Sequence, residues 1–233
     1  MIDNPRAFAE KVAHVLDGEA VLRPEVAGYV SSDFDPFLNH LFASGSFAER
    51  EACEILDGRP GFVWLDQKPE AASRLLTMVG MVGTIPPEGD SPVEREIGEA
   101  QSADDLRAWH EVYSEVLGAD PRSRSEWEQL HDALGAAGEG SLLLLLARVD
   151  GVPAATGAVF FDRRVAGLYC FTTRESMRRR GLASALVHAA HASARARGVE
   201  QAVLQATASG RPVYARAGYR DERAIPVLRF FRS

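Results

Sequence analysis

Hydrophobic positions along this chain change their spacing segment by segment, and each spacing predicts an element. Pro5 to Leu16 repeats at the helical period, Asn39 to Phe42 follows the turn-prone Asp33-Phe34-Asp35-Pro36, Phe47 to Leu56 is again helical, and Gly61 to Asp66 reads as a strand. Pro69 to Val79 is predicted as a helix with Gly80 as its stop. Residues 83 to 92, Gly-Thr-Ile-Pro-Pro-Glu-Gly-Asp-Ser-Pro, offer little to pack and read as a linker. The chain is therefore divided there, into an N-terminal α/β lobe with its linker, 1–90, and a second domain, 91–233.

Beyond the linker the pattern sharpens. Val93 to Glu99 alternates as a strand does, and Ser102 with Asp105 three residues later is a helix N-cap that opens a helix over 103–117. A second helix is expected over 125–134. Ser141 to Val149, Asp150-Gly151 and Val152 to Phe161 form a hairpin signal, because Asp-Gly supplies the positive φ angles of a tight turn. Pro153 weakens only the start of the second strand. A reversal at Asp162-Arg163-Arg164 leads to a strand over 165–173, then an arginine loop, a helix over 182–197 stopped by Gly198, and a strand over 201–206. A short helix near 212–217 and strands near 219–223 and 226–231 close the chain, giving the order βααβββαβαββ. That order implies an α/β fold with a mixed central sheet flanked by helices.

At 233 residues and 46% apolar, the chain can bury a large core. Its longest aliphatic run, Leu142 to Ala147, is far shorter than the ~20 residues of a membrane span, so no membrane partner is expected. Met1 to Glu10 lacks an apolar signal region, and Cys53 and Cys170 have no metal or redox spacing, which points to the reducing cytoplasm. The net charge of −7 is uneven: residues 173–233 hold 12 Arg against 4 acids, a balance of +8, while the first 172 carry −15. A basic tail suits an anionic ligand, and equally a solvated arginine surface. The arginines are not interleaved with base-stacking aromatics, so nucleic acid is disfavoured.

Met177-Arg178-Arg179-Arg180-Gly181-Leu182-Ala183-Ser184-Ala185-Leu186 lies between an apolar strand and an amphipathic helix. Unpaired N–H groups of a first helical turn, the helix dipole, a glycine and the small Ala183 and Ser184 all favour a pyrophosphate there, with Arg178, Arg179 and Arg180 adding charge. A water-exposed basic helix entry is the other reading. The stretch has neither the Lys-[Ser/Thr] ending of a P-loop nor the three glycines of a dinucleotide site.

Arg178-x-x-Gly181-x-Ala183, preceded by Tyr169-Cys170-Phe171-Thr172-Thr173 and followed after another strand by Tyr214-Ala-Arg-Ala-Gly218-Tyr219, resembles the GCN5-related N-acetyltransferase (GNAT) superfamily over residues 92–233. Residues 33–82, notably Phe34-Asp-Pro-Phe-Leu-Asn39 and Gly61-Phe-Val-Trp64, look like the degenerate first half of two-lobed members. The resemblance implies acetyl-CoA as cosubstrate, without a metal, bound by Phe171, Thr172, Thr173, Arg178, Arg179, Arg180, Gly181, Leu182, Ala183 and Ser184. It also implies Tyr214 as the general acid. Thr207 stands near the place of a frequent asparagine, and Glu175 where many members have proline.

The residue chemistry agrees. A splay or bulge at the end of the strand Phe171 to Thr173 would free backbone N–H groups for the pantetheine and the thioester oxygen, and Tyr214, with an ordinary pKa of about 10, can protonate a leaving thiolate. A packed aromatic on a short helix is the alternative for Tyr214. His188 and His191 share a helix face but imply no third metal ligand; His110, Tyr113, Glu111 and Glu115 suit packing or a solvated face; Cys170 suits inert core; Ser184 lacks a nucleophile elbow. The expected activity is acetyl transfer to a primary amine, on a small molecule or a peptide, with the N-terminal lobe shaping the acceptor side. A CoA-binding module without turnover, and an interaction protein that binds another polyanion, are the rival readings. A homodimer is compatible with either.

Overall fold

The computed structural model describes residues 3–44, 49–68, 75–87, 96–136 and 138–230. Its N-terminal part contains α1 (Asp3–Leu16), the hairpin β1 (Glu19–Arg23) and β2 (Val26–Val30), a 3-10 turn at Pro36–Leu38, β3 (Asn39–Ala43), α2 (Glu49–Leu56), β4 (Gly61–Leu65) and β5 (Leu75–Thr84). There follow β6 (Glu96–Glu99), α3 (Ala103–Leu117), α4 (Arg124–Leu134), β7 (Leu142–Val149), β8 (Val152–Asp162) and β9 (Val165–Thr173). The chain ends in α5 (Leu182–Ala196), β10 (Gln201–Ala206), α6 (Arg211–Arg216) and β11 (Arg220–Phe230).

Local chemistry starts and stops several of these elements. Ser102 and Asp105 cap α3 reciprocally: the Ser102 hydroxyl accepts from Asp105 N at 3.1 Å, and the Asp105 carboxylate accepts from Ser102 N at 3.3 Å. Gly118, at φ 71°, ends the helix. Asp150 (φ 51°) and Gly151 (φ 75°) make the β7–β8 turn.

All eleven strands join one sheet in the order β1-β2-β3-β4-β11-β5-β10-β9-β8-β7-β6. Among the described residues, β3/β4 and β9/β10 are the parallel pairs and every other pairing is antiparallel. The leucine run of β7 is buried on both faces, which explains why it is continuous and does not alternate. Leu143 and Leu145 meet Leu182, Leu186 and Ala190 of α5 on one side, whereas Leu142, Leu144 and Leu146 meet Phe8, Trp109, Tyr113 and Trp127 from α1, α3 and α4 on the other. α2 covers the N-terminal strands with Ala52 and Leu56. This mixed, mostly antiparallel sheet with flanking helices is the fold class expected from the sequence. No helix among the described residues is long and apolar enough to cross a membrane.

The structure departs from the sequence expectations at four places. Of the helix expected over 69–79, residues 69–74 lie outside the described residues, and 75–79 belong to β5, not to a helix. The apolar run there is ambiguous by spacing alone, and pairing with β10 and β11 decides it. The two strands expected at the C-terminus are one strand, β11, with an irregularity between Asp221 and Arg223. The β1–β2 hairpin, five residues a side with Leu22 exposed, was not foreseen. Of the linker expected over 83–92, Gly83 and Thr84 finish β5, and 88–92 lie outside the described residues.

Candidate active site

The connection β8–β9–α5–β10 is matched in the N-terminal part by β2–β3–α2–β4, since each has an antiparallel hairpin, a helix and a strand returning parallel to the second one. The two parallel pairs then differ. β3 and β4 stay paired to their ends, and Asp66 N still donates to Ala43 O at 3.2 Å. β9 and β10 are paired only from Val165/Gln201 to Leu168/Leu204 and then diverge. Tyr169 to Thr173 keep β8 as their neighbour, while Gln205 and Ala206 keep β5. Among the described residues the splay leaves the facing edge of β9 without a ladder partner, so backbone N–H groups on it are available to a ligand, while the Cys170 carbonyl accepts from the Thr156 hydroxyl at 3.2 Å.

A bulge lies on the same stretch. Ala158 opposes Tyr169 and Thr156 opposes Thr172, so Cys170 and Phe171 together face Gly157. Cys170 takes the left-handed conformation, φ 54°. A Cβ on Gly157 would stand 2.9 Å from the Phe171 ring, which is why that position takes glycine. Phe171 lines the resulting cleft. The Thr172 side chain points into the sheet instead, sharing a 2.7 Å hydrogen bond with the Thr156 hydroxyl, so only its backbone could serve a ligand. Thr173 O accepts from Arg178 Nε at 3.4 Å, tying the arginine loop to the strand end.

That loop ends with Gly181 at φ 76° as N-cap of α5, and no side chain caps the helix. The first-turn N–H groups of Leu182, Ala183 and Ser184 are thus available to an anion. Arg178 makes a loose 4.0 Å ion pair with Glu175, and Arg179 and Arg180 are exposed, with no ion pair among the described residues. The Arg174 guanidinium pairs with Glu115 of α3 at 3.0 Å, so it is engaged elsewhere.

Tyr214, on α6, is half-buried at the other side of the cleft. Its ring meets Phe171 and Tyr219 edge-on, with centroids 6.4 and 6.0 Å away. Burial, with a smaller contribution from Cys170, raises its phenol above the ordinary value of about 10. Its hydroxyl makes no hydrogen bond among the described residues.

The cleft, of about 220 Å³, continues into a wall the sequence reading did not identify as a site, made by Phe37, His40, Phe62, Trp64, Leu76 and Met78. Trp64 Nε1 donates to His40 Nδ1 at 2.8 Å, and His40 Nε2 lies 2.8 Å from Phe37 O. His40 is therefore the Nε2–H tautomer, donating to that carbonyl. Burial lowers its pKa to about 4, so at neutral pH it is an uncharged flat ring. Phe37, Phe62 and Trp64 fall within the two stretches that resembled a degenerate first half, and no local spacing marked them as one surface.

Of the remaining candidates, His110, Tyr113, His191 and Glu111 are not among the residues that line this cleft. His110 lies beside the Ser123 hydroxyl at 2.9 Å, with its pKa lowered to about 4 by burial and by Arg124. Tyr113 donates to the buried Asp35. His191 meets the Tyr219 hydroxyl at 2.9 Å under the sheet, and Glu111 is exposed on α3. Cys170 does line the cleft, and burial pushes its thiol up, against nucleophilic use.

Comparison with known proteins bears on the family and the fold. The model of the acetyltransferase (GNAT) family matches residues 103–219. A GNAT-family protein from Novosphingobium aromaticivorans has 21% identity and a TM-score of 0.62, covering 92% of this chain and 91% of that one. A GCN5-related N-acetyltransferase from Kribbella flavida has 17% identity and a TM-score of 0.62 over 97% and 95% of the two chains. A GCN5-related N-acetyltransferase-like protein from Streptococcus suis has 14% identity and a TM-score of 0.62 over 99% and 100%. At such identities the structural likeness is one of fold. No curated protein matches the sequence.

Proposed function

The chain belongs to the GNAT acetyltransferase family, and from that premise we propose that it moves an acetyl group from acetyl-CoA to a primary amine by direct attack. The observation that carries this reading is the splay of β9 from β10 after Leu168 and Leu204, beside an α5 that no side chain caps. The residues present fit the cosubstrate. Backbone N–H groups of Leu182, Ala183 and Ser184, with Arg178, Arg179 and Arg180, would hold its pyrophosphate, and the free edge of β9 at 171–173 would pair with its pantetheine. Bound acetyl-CoA supplies an activated thioester.

The protein's own part is to align, exclude water and supply a proton. Phe171 and Tyr214 keep the wedge between the strands apolar, so backbone donors on the β9 edge act on developing oxyanion charge with little competition from water. Tyr214 stays protonated throughout the pH range in which an amine is free to attack, and its hydroxyl is available to donate to the departing sulfur. Desolvation in the same cleft also raises the basicity of that sulfur, which narrows the gap between donor and acceptor.

Calorimetric titration of CoA into Gly181→Glu tests the cofactor site, with Gly181→Ala as control because it carries the same positive-φ strain without the charge. CoA affinity is expected to drop by about tenfold or more in Gly181→Glu alone. Equal affinity in the two variants would remove the site from α5.

A further inference from the structure

The acceptor end of the cleft has a composition at odds with the acidity of the first 172 residues. None of its described lining residues is Asp or Glu. The carboxylates nearest in sequence to Phe37 turn away: Asp35 is fully buried under Tyr113 and Trp127, and the Asp33 carboxylate faces Arg59 at 3.8 Å. The charged side chain on this side is a cation, Arg229, which stands opposite Phe62 in the sheet, and around it the wall is flat and largely apolar. His40 and Trp64 lie side by side in nearly one plane, with 5.8 Å between centroids and 10° between planes, joined by the Nε1–Nδ1 hydrogen bond, and Phe37 meets Phe62 edge-on at 4.8 Å. Both His40 nitrogens are engaged by Trp64 and Phe37, so His40 offers neither a counter-ion nor a free base.

Building on the acetyl-transfer reading, we propose that the acceptor is a primary monoamine carried on an aromatic body, packed against Phe37, Phe62, Trp64 and Met78, and that polycationic amines are discriminated against. Aromatic faces and a thioether suit a planar ring. An ammonium entering this wall loses its water and meets aromatic faces but no carboxylate among the described lining residues, and that desolvation lowers its pKa and favours the free amine, the form that attacks. The wall thereby raises the share of free amine, while the proton released on attack goes to water. A second charged nitrogen in the same molecule would carry the desolvation cost with no such use. The step balances: the nitrogen–carbon bond forms as the carbon–sulfur bond breaks, the amine gives up a proton to water, and the sulfur takes one, leaving an amide and a free thiol.

The test is thiol release at pH 8 with acetyl-CoA and either phenethylamine or spermidine, alongside calorimetric binding of CoA to the same protein. Phenethylamine is expected to have the higher kcat/KM, by about tenfold or more. Met78→Glu, a change at a half-buried strand position, is expected to reduce that ratio by about tenfold and leave CoA affinity unchanged. Should CoA bind while spermidine is preferred or is the amine that releases thiol, the acceptor assignment is overturned and the acetyl-transfer reading stands; should CoA bind while neither amine releases thiol, the acceptor assignment is overturned and the CoA site alone stands. Should CoA itself fail to bind, the acetyl-transfer reading is overturned and the acceptor assignment with it. The wild-type comparison decides even if Met78→Glu does not fold.

Discussion

Tyr214, half-buried, and Asp35, fully buried, show how differently two polar groups can be used. The Tyr214 hydroxyl has no hydrogen-bond partner among the described residues, whereas the Asp35 carboxylate accepts from the Tyr113 hydroxyl at 2.7 and 2.9 Å, from Trp127 Nε1 at 2.7 Å and from Phe37 N at 2.8 Å. Removing the first should change rate and little else. In Tyr214→Phe we expect kcat to fall about 10²–10⁴-fold in steady-state assays with CoA affinity unchanged, and because burial moves the phenol up, no basic limb of the pH profile is expected from it. A loss under about threefold would leave Tyr214 as packing. Asp35→Ala, by contrast, leaves Tyr113 and Trp127 as buried donors without an acceptor and should cost about 3 kcal/mol or more in urea unfolding. That makes Asp35 a fastening between the turn at Pro36–Leu38 and the helices α3 and α4.

The docking of α4 against the segment before β3 also carries a pH dependence. Glu126 accepts from the Ser32 hydroxyl at 2.7 Å, and its carboxyl is pushed up to about 7, chiefly by burial, with Asp35, Asp33 and Asp120 adding to the rise and Ser32 opposing it. Since the folded pKa lies above the ordinary 4.5, the protonated form stabilises the fold in acid, and that stabilisation is lost as pH rises from about 4.5 through about 7. Glu126→Gln should therefore melt higher than the parent at pH 8, with the difference closing near pH 4.5; a constant difference across that range would contradict the assignment. Elements such as α3 and the β7–β8 hairpin were legible because their signals are local: Ser102 with Asp105, and Asp150 with Gly151. β5 was not, because its partners β10 and β11 lie more than a hundred residues away in sequence. The arginine–glycine loop was legible for the same reason as α3, being one continuous segment. The aromatic wall was not, since Phe37, His40, Phe62, Trp64 and Met78 come from four separate elements that only the sheet brings together.

At the scale of the whole molecule, the sheet interleaves the two halves of the sequence. β5 lies between β10 and β11, and Met81 and Ile85 belong to the same core as Leu186 of α5. A fragment spanning 91–233 would lose both neighbours of β11, leaving that strand unpaired. We expect such a fragment to show no cooperative thermal transition by circular dichroism, and the full chain to show one; a fragment that melts cooperatively and binds CoA would refute this. The cleft follows from the same interleaving, with one wall from each half. Of the three tryptophans, Trp109 and Trp127 are sealed together on the α3–α4 side, with centroids 4.9 Å apart, and Trp64 alone lines the cleft. Its indole N–H donates to His40 Nδ1 within the aromatic wall. The protein thus carries an internal optical gauge: a shift in Trp64 emission would register filling of the acceptor side separately from filling of the pyrophosphate side, without any label.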